Sequence, residues 1–333
     1  MNERGDRRRR SVLTDGGQRS PPASATGDVT DGSESRVLIL NPVSGSATHA
    51  ERVHELAAEH GFAVRETAEG GDAVAFAREV AGDADLVGAC GGDGTLNEVV
   101  RGLFAERALD TTTVCVIPAG TGNNFAGNIG VTGLEQAFAV AAHGETREID
   151  LGVAAGRPFV NSCIAGLTAD ASSETTAEMK DSLGVLAYVV NTIRTTVEFE
   201  PMALTIEAAG GGESWRGEAA FVLIGNGRRF PVEGRTQANM EDGLFEVTII
   251  EDRPTGKLVG EAALRRLFGS DTSNITRLRA PALTLAVEDD EPRTFSLDGE
   301  MLSARELDVE TRRGALSLPV GEGYEPDPTG GSE

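Results

Sequence analysis

The 333-residue sequence is poor in cysteine and aromatic residues, and it has no long apolar run. Its three cysteines, Cys90, Cys115 and Cys163, are far apart in the sequence and include no CxxC pair, which argues against a zinc site or a disulfide framework. No stretch reaches the roughly 18 apolar residues that a membrane-spanning helix needs. These absences predict a cytoplasmic protein whose cysteines are small buried side chains.

Basic residues are also scarce. The chain has 30 Lys and Arg against 53 Asp and Glu, a net charge of -23. Binding of nucleic acid draws its affinity from clustered basic residues, and here they cluster only at residues 7–10, so a nucleic-acid partner is not expected. The acidity is typical of a protein from a high-salt cytoplasm. At about 1 M salt the Debye length is about 3 Å, so the acidity does not exclude a membrane-surface substrate.

Apolar runs and helical patterns alternate between residues 36 and 145. Strands are predicted at 37–40, 62–66, 86–90 and 114–117. Helices are predicted at 72–80 and 95–105, and a further helix is capped by Thr48 and ends at residue 60. Such alternation indicates a parallel sheet that binds ligands at the carboxyl ends of its strands. We expect a disordered tail at 1–35 and a nucleotide-binding α/β domain at 36–145, completed by residues 311–320.

From residue 146 the sequence changes to short alternating segments with hairpin signals, which predicts a mainly β domain at 146–310. Candidate strands are 221–224, 244–250, 282–287, 294–297 and 307–309. Two helices, at 182–197 and 255–268, are expected to interrupt them. The acidic, Gly- and Pro-rich segment 321–333 is predicted to be a flexible tail.

The strongest chemical signal is the glycine-rich loop at 91–98, which follows a buried strand and opens a helix. Gly91, Gly92 and Gly94 allow backbone amides to approach a phosphate, and Thr95 adds a hydroxyl donor. Asp93 is tolerable beside phosphates if a divalent cation lies between them, so we assign it to magnesium. A tight turn without a ligand would explain two glycines, but not this whole pattern.

Three further polar turns follow strands of the same predicted sheet and should lie at the same edge. They contribute Asn41, Ser44 and Gly45 after the first strand, Thr67 after the second, and Gly120, Thr121 and Asn123 after the fourth. Together with the first loop they predict a cleft.

These motifs, together with segments 180–188, 242–244 and 297–300, resemble the diacylglycerol kinase catalytic-domain family, which includes bacterial lipid kinases. The resemblance spans about residues 36–320. It implies an N-terminal NAD-kinase-like nucleotide-binding α/β domain with a C-terminal β-sandwich domain. It also implies ATP as co-substrate, Mg²⁺ as cofactor, and a lipid substrate met peripherally at the inner membrane face. Asn97 and Glu98 join the nucleotide-binding residues by the same resemblance.

The resemblance further implies that Asp298 is the general base for the attacking lipid hydroxyl, with Glu300 assisting it or binding metal. A hairpin turn at residues 298–299 is the alternative reading. Asp242 and the carbonyl oxygen of Leu244 would hold a structural magnesium, and there too a plain turn is a rival.

The sequence departs from the family pattern at several positions. Asn124 stands where the family usually has Asp, Gly127 where it has Arg, and residues 230–234 replace a glycine-rich stretch. We therefore expect catalysis with an altered acceptor. A kinase like NAD kinase and a catalytically inactive nucleotide- or lipid-binding regulator remain open alternatives, whereas a Rossmann dehydrogenase is poorly supported. A homodimer through an edge strand is also compatible with the sequence.

Overall fold

The computed structural model describes residues 35–166, 201–232, 235–251 and 275–328. The expected tail before residue 35 and the helices expected at 182–197 and 255–268 lie outside the described residues.

The first part of the chain is an α/β layer structure, as the alternating pattern predicted. Four parallel strands, in the order β2-β1-β3-β4, form its sheet. The strands are β1 (Arg36–Leu40), β2 (Ala63–Glu66), β3 (Leu86–Gly91) and β4 (Thr113–Pro118). The helices are α1 (Ala50–Glu59), α2 (Asp72–Val80), α3 (Asp93–Ala105), α4 (Asn124–Asn128) and α5 (Leu134–His143).

Small residues set how closely these layers approach. A Cβ on Gly88 in β3 would lie 2.5 Å from the Leu38 side chain of β1. A Cβ on Gly102 in α3 would lie 2.6 Å from both the Ala77 Cβ and the Val74 carbonyl oxygen of α2. Larger residues at these glycines would separate the strands or the helices that carry the polar loops.

Two predicted helix starts were wrong. Helix α1 begins at Ala50 with His49 as its N-cap, because the Thr48 hydroxyl pairs with Ser46 Oγ at 2.8 Å instead of capping the helix. Helix α3 begins at Asp93, two residues before Thr95. Asp93 is therefore part of the first helical turn.

The second part is an antiparallel β-sandwich-like structure, as predicted. Its strands are β5 (Glu145–Ala154), β6 (Arg157–Phe159), β7 (Ser162–Ala165), β8 (Met202–Ala208), β9 (Trp215–Gly225), β12 (Phe245–Glu251), β13 (Ile275–Ala280), β14 (Ala282–Val287), β15 (Arg293–Leu297), β16 (Glu300–Ala304) and β17 (Glu306–Val320). They pair in the order β16-β15-β7-β9-β8-β14-β17-β5-β6, with β12 and β13 branching from β9. Buried residues such as Leu204, Phe245 and Phe295 form its core. A separate short pair is β10 (Arg228–Val232) with β11 (Arg235–Gln237).

Strand β17 is much longer than the expected segment 307–309 and connects the two parts. It pairs with β5 along most of its length, with a register shift between Arg312 and Leu316. After the shift, Leu316, Leu318 and Val320 belong to the hydrophobic core of the α/β part. The last residues of β17 therefore pack beside β4.

Residues 321–328, the described part of the segment expected to be a flexible tail, make hydrogen bonds to the rest of the protein. Gly321 N donates to the Ile129 carbonyl oxygen at 2.8 Å, and Gln237 Nε2 donates to the Glu325 carbonyl oxygen at 2.6 Å. Tyr324 Oη donates to Glu241 Oε1 at 2.8 Å. These bonds outweigh a composition that is typical of loose segments.

Candidate active site

The loops after the four parallel strands enclose a cavity of about 490 Å³, here called the glycine-loop cavity. Ten of the fourteen residues expected to bind nucleotide line it: Asn41, Ser44, Gly45, Thr67, Gly92, Gly94, Thr95, Glu98, Gly120 and Thr121. Val43, Ala68, Glu69, Gly70 and Ala73 complete the lining. The prediction that these loops meet at one edge of the sheet therefore agrees with the structure.

Backbone-to-backbone contact between the loops shapes the cavity. A Cβ on Gly120 would lie 2.4 Å from the Gly92 Cα, and a Cβ on Gly45 would lie 2.5 Å from the Ala119 carbonyl oxygen. Gly45 also has a φ of 57°, which favours glycine. The Ser44 hydroxyl adds a hydrogen bond to the Ala119 carbonyl oxygen at 3.2 Å. Only glycine allows these loops to close on one another.

Two helices present their N-terminal turns to the glycine-loop cavity. Gly94 and Thr95 belong to the first turn of α3, and Ala73 belongs to the first turn of α2. The first N–H groups of a helix lack intrahelical partners, and the helix dipole favours negative charge there. The cavity therefore suits a phosphate-bearing ligand.

Asp93 does not line the cavity but ties its loop to α4. Its Oδ2 accepts hydrogen bonds from the Asn124 backbone N–H at 3.1 Å and from Asn124 Nδ2 at 3.2 Å, and its Oδ1 accepts the Phe125 N–H at 3.1 Å. The Asn124 side chain thus donates a hydrogen bond to Asp93, whereas an Asp at position 124 would place a second carboxylate against it. Asn123 lies nearby and braces its own loop through two bonds with Gly120.

Asp298 lies in the two-residue hairpin between β15 and β16 and is bound from several sides. Its carboxylate accepts hydrogen bonds from the successive backbone N–H groups of Val160, Asn161 and Ser162, over 2.6 to 3.2 Å. Asn97 Nδ2 of α3 donates to it at 3.2 Å. Asn97, only 2% exposed, therefore supports Asp298 and does not line the cavity. Residue 298 also has a φ of 49°, so the hairpin reading of this segment is confirmed as its local structure.

Burial raises the pKa of the Asp298 carboxyl to about 6, although its N–H donors act in the opposite direction. Burial likewise raises the pKa of Asp93, against the donors from Phe125 and Asn124. Each negative charge also disfavours the other. The two carboxylates are therefore held by many donors and still carry an electrostatic cost.

Glu300 follows the Asp298 turn and is about half exposed, with 49% of its side chain accessible. Its Oε2 lies 3.4 Å from Arg101 Nη1. Burial raises the pKa of Glu98, Arg101 lowers it and Glu300 raises it. Because Glu98 lines the glycine-loop cavity, Glu300 lies within electrostatic reach of that cavity and remains open to solvent.

The predicted structural magnesium ligands occupy a different region. Asp242 pairs with Arg279 and accepts the Leu244 N–H at 2.9 Å through its Oδ1. Asp150, 1% exposed, accepts N–H donors from Gly243 and Gly314. Among the described residues, no group of three or more His, Cys, Asp or Glu side chains could hold a metal ion. The Arg279 guanidinium already supplies a positive charge beside Asp242. The magnesium site at Asp242 and Leu244 stays a prediction.

Sequence reasoning missed the residues that hold the predicted site in place. Segment 160–162 carries no chemical motif, yet its amides bind Asp298. Arg228 was also not singled out, although it follows the Asn226-Gly227 turn. A signal was present in the Asn-Gly dipeptide and in the two arginines that open a strand whose other residues are apolar.

The described chain therefore combines a glycine-loop α/β part with a β-sandwich-like part. Residues 35–154 match the family described as diacylglycerol kinase catalytic domain. Residues 161–320 match the family described as YegS C-terminal NAD kinase beta sandwich-like domain.

Curated relatives agree with these matches. A "Probable lipid kinase YegS-like" from Pectobacterium atrosepticum is 31% identical over 84% of this chain and 94% of its own length. One from Pseudomonas aeruginosa is 37% identical over 78% of this chain and 85% of its own length. The chain belongs to this diacylglycerol kinase-like family of lipid kinases.

Solved structures show the same fold. A crystal structure from Bacillus anthracis str. Sterne has a TM-score of 0.72 and 25% identity, covering 88% of this chain and 97% of that one. Another from that organism, described as a diacylglycerol kinase, has a TM-score of 0.65 and 22% identity, covering 88% and 98%.

Proposed function

We propose that this kinase transfers the γ-phosphate of ATP to a hydroxyl of diacylglycerol or of a related ether lipid. The observation that carries the proposal is the position of the glycine-loop cavity. The first turns of α2 and α3 line this cavity, and Glu300 of the β15–β16 hairpin lies within electrostatic reach of it. The γ-phosphate of ATP and the lipid hydroxyl would meet between the cavity and this hairpin.

The triphosphate would lie against the amides of the glycine loops, and Mg²⁺ would arrive with it. Mg²⁺ commonly keeps several waters and uses one or two carboxylates together with substrate phosphates. Asp93 fits this pattern through water, since both of its oxygens already accept N–H donors and a full inner set of ligands is not present. When bound, the ion supplies charge neutralisation for the phosphates.

In the transfer, the acceptor oxygen forms a bond to the γ-phosphorus, the bond from that phosphorus to the bridging oxygen breaks, and ADP leaves. The acceptor proton passes to a carboxylate. Asp298 was the sequence-based choice for this role and stays a prediction. Its geometry favours a positioning role, because four N–H donors surround it. The more exposed Glu300 is the better-placed base.

The acceptor would be met at a membrane surface. Within the described residues, no helix is long and apolar enough to cross a membrane. Peripheral contact therefore fits the described structure, and the acidic surface fits a high-salt setting. A homodimer through an edge strand stays a prediction; β6, β13 and β16 each pair with one neighbour among the described strands.

Transfer of labelled γ-phosphate to a total lipid extract, in molar KCl with Mg²⁺, tests the proposal. Labelled product in the organic phase, identified by mass, would support it. Phosphorylation of NAD in place of lipid would favour an NAD kinase-like enzyme, and ATP binding without turnover would favour an inactive regulator.

Two variants separate the candidate bases. Glu300→Gln should lower kcat by about 100-fold or more while the thermal stability stays close to wild type, because about half of the Glu300 side chain, 49%, is exposed. Asp298→Asn should lower stability as well, since its new NH₂ group would face N–H donors that need an acceptor. Normal turnover of Glu300→Gln would refute its role as the base.

A further inference from the structure

A buried arginine accompanies the two aspartates of the site. Arg228 opens β10 and is 4% exposed. Arginine is rarely so buried unless its charge is compensated, because desolvation of a guanidinium costs free energy. Burial lowers the pKa of Arg228, while the negative charges of Asp93 and Asp298 raise it. The arginine is thus electrostatically coupled to both aspartates.

Backbone contacts link Arg228 to the segment that binds Asp298. The Arg228 N–H donates to the Asn161 carbonyl oxygen at 3.3 Å, and the Asn161 N–H donates in turn to Asp298. The preceding Gly227 N–H donates to the Val160 carbonyl oxygen at 2.9 Å. Arg228 and Asp298 are therefore fixed to the same short segment.

The same turn is packed against the segment that binds Asp93. A Cβ on Gly227 would lie 3.1 Å from the Phe125 ring, and the Phe125 N–H donates to Asp93. Asn128 Nδ2 of α4 donates to the Gly227 carbonyl oxygen at 3.0 Å. Gly225 confines the turn from the other side, since a Cβ there would lie 1.8 Å from the Arg228 carbonyl oxygen. The position of Arg228 is thus determined relative to both aspartates.

We propose that Arg228 is the buried counter-charge of the phosphoryl-transfer centre, shared by Asp93 and Asp298, and a positioning residue for both carboxylates. The inference rests on the proposed kinase function. A triphosphate entering beside two carboxylates concentrates negative charge, and a fixed cation offsets that charge without reorganisation during the reaction. Arg228 acts through the aspartates, since its burial keeps it from the nucleotide.

Arg229 is the matched control. It is the next residue on β10 and, at 7% exposed, is a second buried arginine on the same strand. Replacement at either position removes a buried arginine, so both should affect stability. Only replacement of Arg228 should specifically affect phosphoryl transfer.

The experiment measures kcat and the ATP KM for Arg228→Met, Arg228→Gln, Arg228→Lys and Arg229→Met, in lipid phosphorylation and in ATP hydrolysis without lipid. Loss of the charge at Arg228 should lower kcat by about 100-fold, with the ATP KM changed less than about threefold. The kcat of Arg228→Lys should be at least tenfold higher than that of the neutral variants, and the kcat of Arg229→Met should stay near that of the wild type. If Arg228→Met fails to fold by circular dichroism, Arg228→Gln provides the test.

The inference is overturned if a folded charge-removing variant of Arg228 retains the kcat of Arg229→Met, or if Arg228→Lys is as impaired as the neutral variants. A wild-type protein that hydrolyses ATP but phosphorylates no lipid would refute the lipid proposal and leave the Arg228 comparison intact. A wild-type protein that does neither would refute both.

Discussion

Replacement of Asn124 by Asp tests how the charge of Asp93 is balanced. The Asn124 amide nitrogen lies 3.2 Å from Asp93 Oδ2 and donates a hydrogen bond to it. In Asn124→Asp a second carboxylate oxygen would take that place. At 3.2 Å and an effective dielectric constant of about 20, two such charges repel by about 5 kcal/mol, which is an upper bound. Protonation and side-chain movement reduce it.

We expect a net loss of about 2 kcal/mol from the missing charged hydrogen bond and the residual repulsion, or about 4 °C in Tm. The loss should depend on pH. Burial already raises the pKa of Asp93, and a second carboxylate raises it further, so the folded variant binds a proton more readily than the unfolded chain. The loss of stability of Asn124→Asp relative to the wild type is therefore small at low pH and grows as the pH rises through the raised pKa of Asp93.

Differential scanning fluorimetry with and without Mg²⁺ is the assay. Mg²⁺ should raise the Tm of Asn124→Asp more than that of the wild type, because a cation can bridge two carboxylates. Asn128→Asp is the control on the same helix, since Asn128 bonds the Gly227 carbonyl oxygen and does not bond Asp93. It should lose stability without gaining any response to Mg²⁺. Equal Mg²⁺ responses of Asn124→Asp and wild type would refute the reasoning.

Two further predictions concern the loops and the surface. Gly120→Ala should weaken binding of an ATP analogue at least tenfold, measured by calorimetry, because its Cβ would lie 2.4 Å from the Gly92 Cα. Gly122→Ala is the control and should bind normally, because the nearest atom to its Cβ would lie 4.0 Å away. The net charge of -23 should make the Tm rise between 0.1 M and 2 M KCl, and an unchanged or falling Tm would contradict the high-salt interpretation.

Local patterns predicted most of the α/β part because its signals are contained in short segments. Helix α2 was expected at 72–80 and has those bounds, since its apolar residues recur at helical spacing. The hairpin at Ala155-Gly156 was likewise readable from its turn residues. The loops of the glycine-loop cavity were predicted together because parallel strands end at one edge of a sheet.

Contacts between distant residues could not be read in the same way. Asn97 and Asp298 are 201 positions apart, and their hydrogen bond depends on how the second part folds against α3. The residues that bind Asp298 and Asp93 do so largely through backbone N–H groups, which no side-chain motif records. The sequence therefore identified the two aspartates but not the way in which each is held.

The C-terminal segment provides a final test of such distant contacts. Tyr324 Oη donates to Glu241 Oε1, and Arg147 donates to the same carboxylate at 3.0 and 2.6 Å. Tyr324→Phe removes one bond to a charged acceptor while the ring remains. We expect a loss of about 1.5 kcal/mol, or about 3 °C in Tm.

Limited proteolysis gives a second readout for Tyr324→Phe, because a released segment would be cut faster near Glu322, which is exposed. Glu322→Gln is a suitable control, since this residue is exposed and lies on the same segment. An unchanged Tm and cleavage rate in Tyr324→Phe would mean that the bond to Glu241 contributes nothing, and that other contacts, such as those of Gly321 and Gln237, retain the segment. Faster cleavage with a lower Tm would show that the end of the chain stabilises the junction between β5, β17 and α5.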